Sequence, residues 1–103
     1  MLKEKIDYQT LEDAFGKVEV TIGEVILVEP IKKSNNLKLT VSFKEDGSDN
    51  RTVVTNLSDK ELLGKRFPFV TNMIPVIIKK IESQAMILVA LNDNSEVEVE
   101  NYY

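Results

Sequence analysis

Strict alternation of apolar and polar residues between positions 37 and 44 constrains the fold more than any other feature of this sequence. The segment LKLTVSFK changes between an apolar and a polar residue at every step. A period of two is typical of a β-strand that turns one face to the core and the other to solvent. The sequence therefore predicts a half-buried strand here and a fold in which strands predominate.

Other segments of the chain also have the character of strands. Residues 18–28 alternate until Gly23 and then continue in a shifted phase, which predicts one long strand with a bulge or bend at the glycine. The turn-forming segment EDGSDN is followed by RTVVTNL, so a hairpin is expected there. Residues 67–70 and 97–99 predict further strands, and the continuous apolar run at residues 86–91 predicts a strand buried on both faces.

One short helix is expected after the third strand. Ser58 precedes Glu61 by three residues, which is the capping-box pattern, and Gly64 follows two leucines as a stop signal. About five to six short strands with one brief helix predict an all-β fold, arranged as a small closed or partly open barrel.

The length and composition of the chain fit a single domain covering residues 1–103. Apolar residues make up 43% and charged residues 29% of the sequence, which is ordinary for a globular protein. There is no Cys, which suits a reducing compartment. MLKEKIDYQT carries charges where a signal peptide needs an apolar run, and no segment reaches the roughly 18 apolar residues of a membrane span. The sequence predicts a cytoplasmic protein that does not bind a membrane.

The residue types that most enzymes use are missing from the sequence. The chain contains no His and no Cys, so it lacks the usual general base, the thiol nucleophile and the usual zinc ligands. Glu96, Glu98 and Glu100 come nearest to a set of catalytic carboxylates, but they alternate along one side of a predicted strand, which indicates a solvated face. We expect a binding protein with no enzyme activity, no cofactor and no metal.

Positive charge is concentrated in two segments of an otherwise acidic chain. The net charge is -4, which by itself disfavours binding to nucleic acid. Residues 30–44 and residues 62–81 nevertheless carry four basic residues each and no acid. These residues are Lys32, Lys33, Lys38 and Lys44 in the first segment and Lys65, Arg66, Lys79 and Lys80 in the second. The two segments form a phosphate-binding surface if the fold brings them together; the alternative is two solvated faces.

The aromatic and arginine residues indicate what kind of nucleic acid such a surface would recognise. Phe43, Phe67 and Phe69 fall on the apolar phase of their strands, so we expect them in the core rather than stacked on bases. Only two of the thirteen basic residues are Arg, the residue that most often reads guanine edges. The sequence therefore predicts recognition of a folded backbone rather than of a base sequence.

The segment from residue 62 to residue 90 carries a recognisable signature. It reads LLGKRFPFVTNMIPVIIKKIESQAMILVA and resembles the tRNA-binding domain family in its L-x-G-K element, its N-x-x-P element and its later Ser and Met. The matching residues are Leu63, Gly64, Lys65, Asn72, Pro75, Ser83 and Met86. FGKVEVTIGEV and NLKLTVSF extend the resemblance back to residue 15. The chain departs from the family pattern at Thr21, where the family has Arg, and at Lys80 and Ala85, where it has Gly. It also departs from the pattern after the third strand, where Thr55 and Asn56 stand in place of Ser-Gly.

The resemblance implies a fold, a function and partners. The fold is an OB-fold barrel with terminal extensions, here residues 1–14 and 92–103. The function is structure-specific binding of tRNA, beside or as part of a methionyl-tRNA synthetase; the alternative is an export chaperone similar to CsaA, or a protein-docking module without strong RNA binding. Together with the charge pattern, it predicts these RNA-binding residues: Lys32, Lys33, Lys38, Lys65, Arg66, Asn72, Lys79, Lys80, Ser83 and Met86.

The resemblance also implies a homodimer, because free-standing members of the family dimerise through their terminal extensions. The ends of this chain carry apolar residues beyond the needs of a barrel, namely Ile6, Tyr8, Leu11, Tyr102 and Tyr103. A two-fold interface would bury them.

Each residue of the signature also has a structural interpretation that the sequence leaves open. Asn72 can hydrogen-bond its own loop, Ser83 can satisfy a turn, and Met86 can fill the core. In the alternative interpretation, the role of Lys79 and Lys80 is limited to keeping a strand edge soluble.

Overall fold

The computed structural model describes residues 3–57, 60–91 and 97–98, and most of its regular structure is β-strand. A helix, α1 (Tyr8–Phe15), precedes the first strand, and a single 3₁₀ turn (Lys60–Leu62) lies between the third and fourth. The strands are β1 (Val20–Pro30), β2 (Leu37–Ser42), β3 (Asn50–Thr55), β4 (Arg66–Val70), β5 (Val76–Ile78), β6 (Ile81–Ser83), β7 (Met86–Ile87), β8 (Ala90–Leu91) and β9 (Val97–Glu98).

The long strand β1 connects two parts of one antiparallel sheet. The sheet has the order β3-β2-β1-β4-β7. The first half of β1 pairs with β4, from Val20 opposite Val70 to Glu24 opposite Arg66, and the second half pairs with β2. The predicted irregularity is present, but the register shift falls between Val25 and Leu27 rather than at the glycine.

Gly23 is required by close packing and not by a bend. It is buried, and a Cβ atom built on it would lie 2.5 Å from Cγ1 of Val41 and 2.7 Å from Cε1 of Phe43. These distances are shorter than any ordinary carbon contact. The two side chains therefore occupy the space that a larger residue at position 23 would need.

Ser83 at the end of β6 and Gln84 directly after it close the sheet into a barrel. β3 lies at one edge of the five-stranded sheet. The backbone N–H of Gln84 donates to the carbonyl of Thr52 (2.8 Å), and its side-chain Oε1 accepts from the N–H of Thr52 (2.8 Å). Oγ of Ser83 accepts from the N–H of Val54 (2.9 Å). The edge of β3 is thus covered, and the predicted all-β barrel of the OB type is confirmed.

The core lies inside this barrel and is apolar. Its fully buried members are Val25, Leu39, Val41, Val53, Leu62, Phe67, Phe69 and Ala85. Phe43 packs against this cluster and meets Phe69 edge to face, with ring centroids 5.4 Å apart. The prediction that the three phenylalanines belong to the core, and not to a stacking surface, is confirmed.

The predicted strand at the end of the barrel sequence differs in the structure. Residues 86–91 do not form one strand buried on both faces, because β7 ends at Ile87 and β8 begins at Ala90. Met86 lies opposite Val70 in the ladder and is 55% exposed, whereas Ile87 lies opposite the buried Phe69. The prediction was wrong because a run of apolar letters does not show that adjacent residues of a strand point to opposite faces.

The helix α1 was not expected from the sequence. Asp7 caps it, since one carboxylate oxygen accepts from the backbone N–H of Thr10 (2.9 Å) and the other from the Thr10 hydroxyl (2.9 Å). These bonds, led by the backbone one, hold the pKa of Asp7 below its ordinary value. None of the residues of α1 is buried.

The predicted helix after β3 is reduced to the 3₁₀ turn, which Gly64 follows with a φ of +79°. Ser58 of the expected capping box lies outside the described residues, as do Val99, Tyr102 and Tyr103.

Candidate nucleic-acid interface

A groove of about 340 Å³ opens between the end of β3 and the β5–β6 hairpin. Its walls are mostly apolar, and its apolar lining residues are Val54, Met73, Val76, Ile78, Ala85, Met86 and Ile87. Its polar lining residues are Asn36, Thr55, Asn56 and Ser83. The volume lies within the range of small-molecule sites, about 300–1,000 Å³. None of the residues that line it is charged.

The turn between β1 and β2 carries two lysines and adjoins the groove through Asn36. The N–H of Ile31 donates to the carbonyl of Asn36 (3.3 Å), and Ser34 bonds both the backbone and the side chain of Asn36. Lys32 and Lys33 lie inside this closed turn and are exposed. The turn thus carries two positive charges, and its last residue, Asn36, lines the groove.

The β5–β6 hairpin brings a second pair of lysines. Ile78 pairs with Ile81, so Lys79 and Lys80 form a two-residue turn. Their φ angles are +51° and +67°, the left-handed conformation that such turns require and that Asn-Gly usually supplies. Both lysines are exposed. Since Ile78 lines the groove, this turn projects from the groove wall.

Lys38 lies on the sheet beside the groove, opposite Val54 in the β2–β3 ladder. It also lies opposite Glu29 of β1, and its Nζ is 4.0 Å from a Glu29 carboxylate oxygen. An exposed pair at this distance contributes little to stability, about 0–1 kcal/mol. Lys38 therefore remains available to an anionic ligand.

Lys65 and Arg66 are not brought to the groove. Arg66 begins β4, and the groove residue Met86 pairs at the other end of that strand, with Val70. Arg66 instead lines a depression of about 70 Å³ together with Lys44 and the acids Glu24 and Glu45. Nζ of Lys65 lies 3.9 Å from a carboxylate oxygen of Glu61. The two basic segments thus converge in part, through five lysines and not eight basic residues.

The side chain of Asn72 bonds to the segment that joins α1 to β1. Its Oδ1 accepts from the N–H of Glu19 (2.8 Å), and its Nδ2 donates to the carbonyl of Lys17 (2.9 Å). The neighbouring Thr71 hydroxyl donates to the Glu19 carboxylate (2.9 Å). This geometry favours the structural interpretation of Asn72, and a contact to RNA stays a prediction.

Ser83 is also used inside the molecule. It is 1% exposed, and its hydroxyl accepts from the N–H of Val54 while donating to the carbonyl of Ala85 (3.3 Å). Its burial favours the structural interpretation, and an RNA contact stays a prediction here as well. Met86 is the opposite case, because its side chain is exposed at the mouth of the groove instead of filling the core.

Two amide side chains at the groove were missed in the sequence. Asn36 uses its Oδ1 to accept from the Ser34 hydroxyl, and the side chain of Asn56 makes no hydrogen bond within the described part of the chain. Asn36 stands in no local pattern that predicts a site, whereas Thr55 and Asn56 stand where the family pattern has Ser-Gly. The groove is built from segments up to 51 residues apart, which periodicity cannot reveal.

Acidic side chains are few near the groove. Glu29 pairs with Lys38, and Glu82 of β6 lies opposite Ile77 in the hairpin. Within residues 3–57, 60–91 and 97–98 there is no cluster of side chains suited to a metal ion and no helix long and apolar enough to cross a membrane.

Comparison with known proteins shows that the chain is similar to methionine–tRNA ligases and to a MetRS-related protein. No protein-family model matches the chain. A methionine–tRNA ligase of Caldanaerobacter subterraneus is 38% identical over 95 residues, which cover 88% of this chain and 14% of the ligase. The chain thus spans about one seventh of the length of this relative.

Two solved structures share the fold. A MetRS-related protein from Pyrococcus horikoshii is 34% identical, with a TM-score of 0.74, and the match covers 95% of this chain and 88% of that one. The CsaA chaperone protein from Picrophilus torridus has a TM-score of 0.72 and covers 95% of this chain and 91% of its own. At 21% identity the second likeness supports the fold alone.

Proposed function

The chain belongs to the tRNA-binding domain family, and on this premise we propose that it is a binding module for folded tRNA. It recognises the shape of the RNA backbone rather than a base sequence. The observation that carries the proposal is the placement of five lysines on two turns and one strand of an OB-type barrel, each of which contains or adjoins a residue that lines the groove. Loops at this position and the neighbouring strands form the nucleic-acid face of many OB folds.

The lysines act through charge, and the chain has few other means of binding phosphate. Lys32, Lys33, Lys38, Lys79 and Lys80 are point charges on flexible stems, which suit phosphates better than base edges. If they neutralise three to five phosphates, the logarithm of the association constant for RNA falls linearly with the logarithm of the salt concentration. The slope is about -0.9 for each phosphate contact to a duplex. Lys65 and Arg66 remain part of the proposed surface only for an RNA large enough to reach beyond the groove.

The test is binding of tRNA and of an unstructured RNA of the same length over a series of salt concentrations. We expect tighter binding of the folded RNA and a salt dependence that corresponds to several phosphate contacts. Equal affinity for the two RNAs would contradict recognition of shape. Absence of binding to either one at low salt would contradict the function as a whole.

The module is proposed to have no catalytic activity and to act in the cytoplasm beside a methionyl-tRNA synthetase. In support, the match to the ligase of C. subterraneus covers only 14% of that protein. A binding domain of this size raises the local concentration of tRNA near a catalytic partner. Copurification of the chain with a methionyl-tRNA synthetase, and a lower KM of that synthetase for tRNA in its presence, would support this role.

A homodimer forms part of the proposal. Ile6, Tyr8, Leu11 and Phe15 are exposed apolar residues on and before α1, and Tyr8, Leu11 and Phe15 lie on one face of the helix at helical spacing. Phe15→Asp should convert a dimer to a monomer in sedimentation at tens of micromolar. Leu63→Asp, at another exposed apolar position, should leave the dimer intact. A monomeric unmodified chain would refute the proposal.

The second candidate is a protein-docking or chaperone function, which exposed apolar side chains on β5 and the loop before it favour. Ile74 is 87% exposed and Ile77 is 68% exposed. Binding through such residues depends on buried apolar area and only weakly on salt. An unfolded polypeptide captured with salt-independent affinity, by a chain that does not bind tRNA, would favour this function.

A further inference from the structure

The groove differs in character from the lysines around it, and this difference limits what it can hold. No charged side chain lines it, and most of its lining residues are apolar. A phosphate placed there would lose its hydration without gaining a cation, which is costly. The phosphates of a bound RNA therefore lie outside the groove, near the turns that carry Lys32, Lys33, Lys79 and Lys80.

The groove offers the contacts that a flat heterocycle uses. Met86 and Val76 present exposed apolar surface, and a thioether packs favourably against an aromatic ring. The amide of Asn56 and the Nδ2 group of Asn36 supply neutral donors and an acceptor at the rim. Amides of this kind pair with the edges of nucleobases. Apolar walls with neutral hydrogen-bonding groups can bind a nucleobase. They can do so only when the base is not stacked on its neighbours in the RNA.

We propose that the groove between β3 and the β5–β6 hairpin takes an unpaired base of the RNA, while the surrounding lysines hold the phosphates on either side. This inference rests on the proposed function, since it assumes that the bound partner is RNA. The groove binds an unstacked base whatever its identity, because the apolar walls contact the ring face that all bases share. An exposed base is thus one of the features by which a folded RNA is distinguished from a plain duplex.

The charge around the groove favours RNA over an apolar peptide as the occupant. Five lysines lie on the elements that form the groove or directly adjoin it. Within β2, β3, β5 and β6 the only acidic residue is Glu82. A second acid, Glu29 of β1, lies opposite Lys38. A peptide would need no such concentration of one charge. A polyanion does need it.

The experiment uses the full chain, a stem-loop RNA and a blunt RNA duplex with the same number of nucleotides. Val76→Trp narrows the groove from a half-exposed position, and Ile77→Trp is its matched control on the opposite face of the same strand. Met86→Ala removes an exposed wall without opening a cavity in the core. A fluorescent purine analogue placed in the loop reports the environment of the base directly.

We expect the unmodified chain to bind the stem-loop more tightly than the duplex. Val76→Trp should weaken binding of the stem-loop by about tenfold, the effect of losing one stacked base, and bring it to the level of the duplex. Met86→Ala should weaken it in the same direction, and Ile77→Trp should not. The salt slope should stay constant, because every phosphate keeps its lysine.

Three results would overturn the inference. Equal affinity for duplex and stem-loop, with no effect of Val76→Trp or Met86→Ala, would leave RNA binding intact but remove the base from the groove. Loss of peptide binding in Val76→Trp, with RNA affinity unchanged, would assign the groove to a protein partner. Absence of binding to any RNA at low salt would refute both this inference and the proposed function.

Discussion

At the scale of single residues, Asn72 and Ser83 use their hydrogen-bonding groups inside the molecule. Asn72 joins the loop after β4 to the chain that enters β1, and Ser83 supplies the acceptor for the N–H of Val54. The partners of Asn72 lie more than fifty residues away in the sequence. A sequence pattern shows that a polar residue stands at a position, but it cannot show which distant backbone group it meets. The choice between contact and structural support could therefore not be made from the signature.

Asn72→Ala removes two hydrogen bonds to the backbone of Lys17 and Glu19. We expect the free energy of unfolding to fall by about 1–2 kcal/mol, since a typical hydrogen bond contributes about 1 kcal/mol net. The affinity of the folded protein for tRNA should not change. Urea unfolding and tRNA titration of the same samples measure the two effects. Asn50→Ala, at an exposed asparagine whose side chain has no partner in the described part of the chain, is the control. Weaker tRNA binding at unchanged stability would show that Asn72 contacts RNA.

Ser83→Ala leaves the buried N–H of Val54 without its acceptor. The expected loss of stability is about 1–3 kcal/mol, the cost of an unsatisfied buried donor. Ser42→Ala, which removes a hydroxyl that bonds the carbonyl of Lys44 on the surface, should change stability by no more than about 0.5 kcal/mol. Denaturant midpoints measure the difference. If the two variants are equally stable, the hydroxyl of Ser83 is not needed to close the barrel.

At the scale of elements, strands and hairpins follow closely from the sequence, while their ends and faces do not. The period-two pattern predicted β2, the turn residues predicted β3, and the phase change predicted an irregularity in β1. The helix α1 was missed although Tyr8, Leu11 and Phe15 stand at helical spacing, because the apolar residues at this end of the chain were interpreted only as a dimer interface. Residues 86–91 were assigned to one strand because apolar composition alone does not reveal where a strand leaves the sheet.

In the β5–β6 hairpin, the effect of backbone strain on stability can be measured separately from the effect of charge on RNA binding. Lys79 and Lys80 adopt positive φ angles, which cost a residue with a side chain roughly 1–2 kcal/mol each. Replacing them together by Asn and Gly should raise the melting temperature, because Asn-Gly favours this turn. If both lysines bind phosphates, the same variant should bind tRNA more weakly, with a salt slope smaller by about 0.9 for each phosphate that is no longer neutralised. Thermal denaturation and a salt titration decide between the two roles. Greater stability with unchanged affinity would mean that the turn does not touch RNA.

Gly23 fixes the distance between β1 and the side chains that cover it. Gly23→Ala would bring a methyl group to within 2.5 Å of Val41, and we expect a loss of about 1–3 kcal/mol, as in other overpacked cores. Gly47→Ala meets no atom within 4 Å but has a φ of +75°, so it tests backbone strain without a clash. Comparing the two by urea unfolding measures the cost of close packing. A smaller loss for Gly23→Ala than for Gly47→Ala would show that the core moves apart easily.

At the scale of the whole molecule, the fold turns a chain of net charge -4 into one with a locally basic surface. Five lysines lie on elements that form or adjoin the groove, and Lys44 and Arg66 line the second depression together with Glu24 and Glu45. The sequence showed two blocks of positive charge but could not show which members would meet. The groove itself was not predictable, because its walls come from four separate segments of the chain.

This difference between the two basic regions can be measured. Lys32→Ala combined with Lys33→Ala should lower the affinity for all RNAs and reduce the salt slope by about 0.9 for each phosphate that these lysines neutralise. Lys44→Ala, in the depression that also contains Glu24 and Glu45, should leave the slope nearly constant. Titrations at several salt concentrations provide the comparison. Equal effects of the two substitutions would mean that the RNA covers both regions.

The side chains that close the barrel also protect the protein from aggregating with other molecules of the same chain. β3 would otherwise present a row of unpaired backbone groups, and an exposed edge of this kind adds strands from other molecules. Here the protection depends on two side-chain hydrogen bonds and one backbone hydrogen bond, at Ser83 and Gln84. Any event that lifts the β5–β6 hairpin away from the barrel therefore exposes an apolar strand edge at the same moment. Resistance to aggregation and the shape of the groove between β3 and the β5–β6 hairpin rest on the same few bonds.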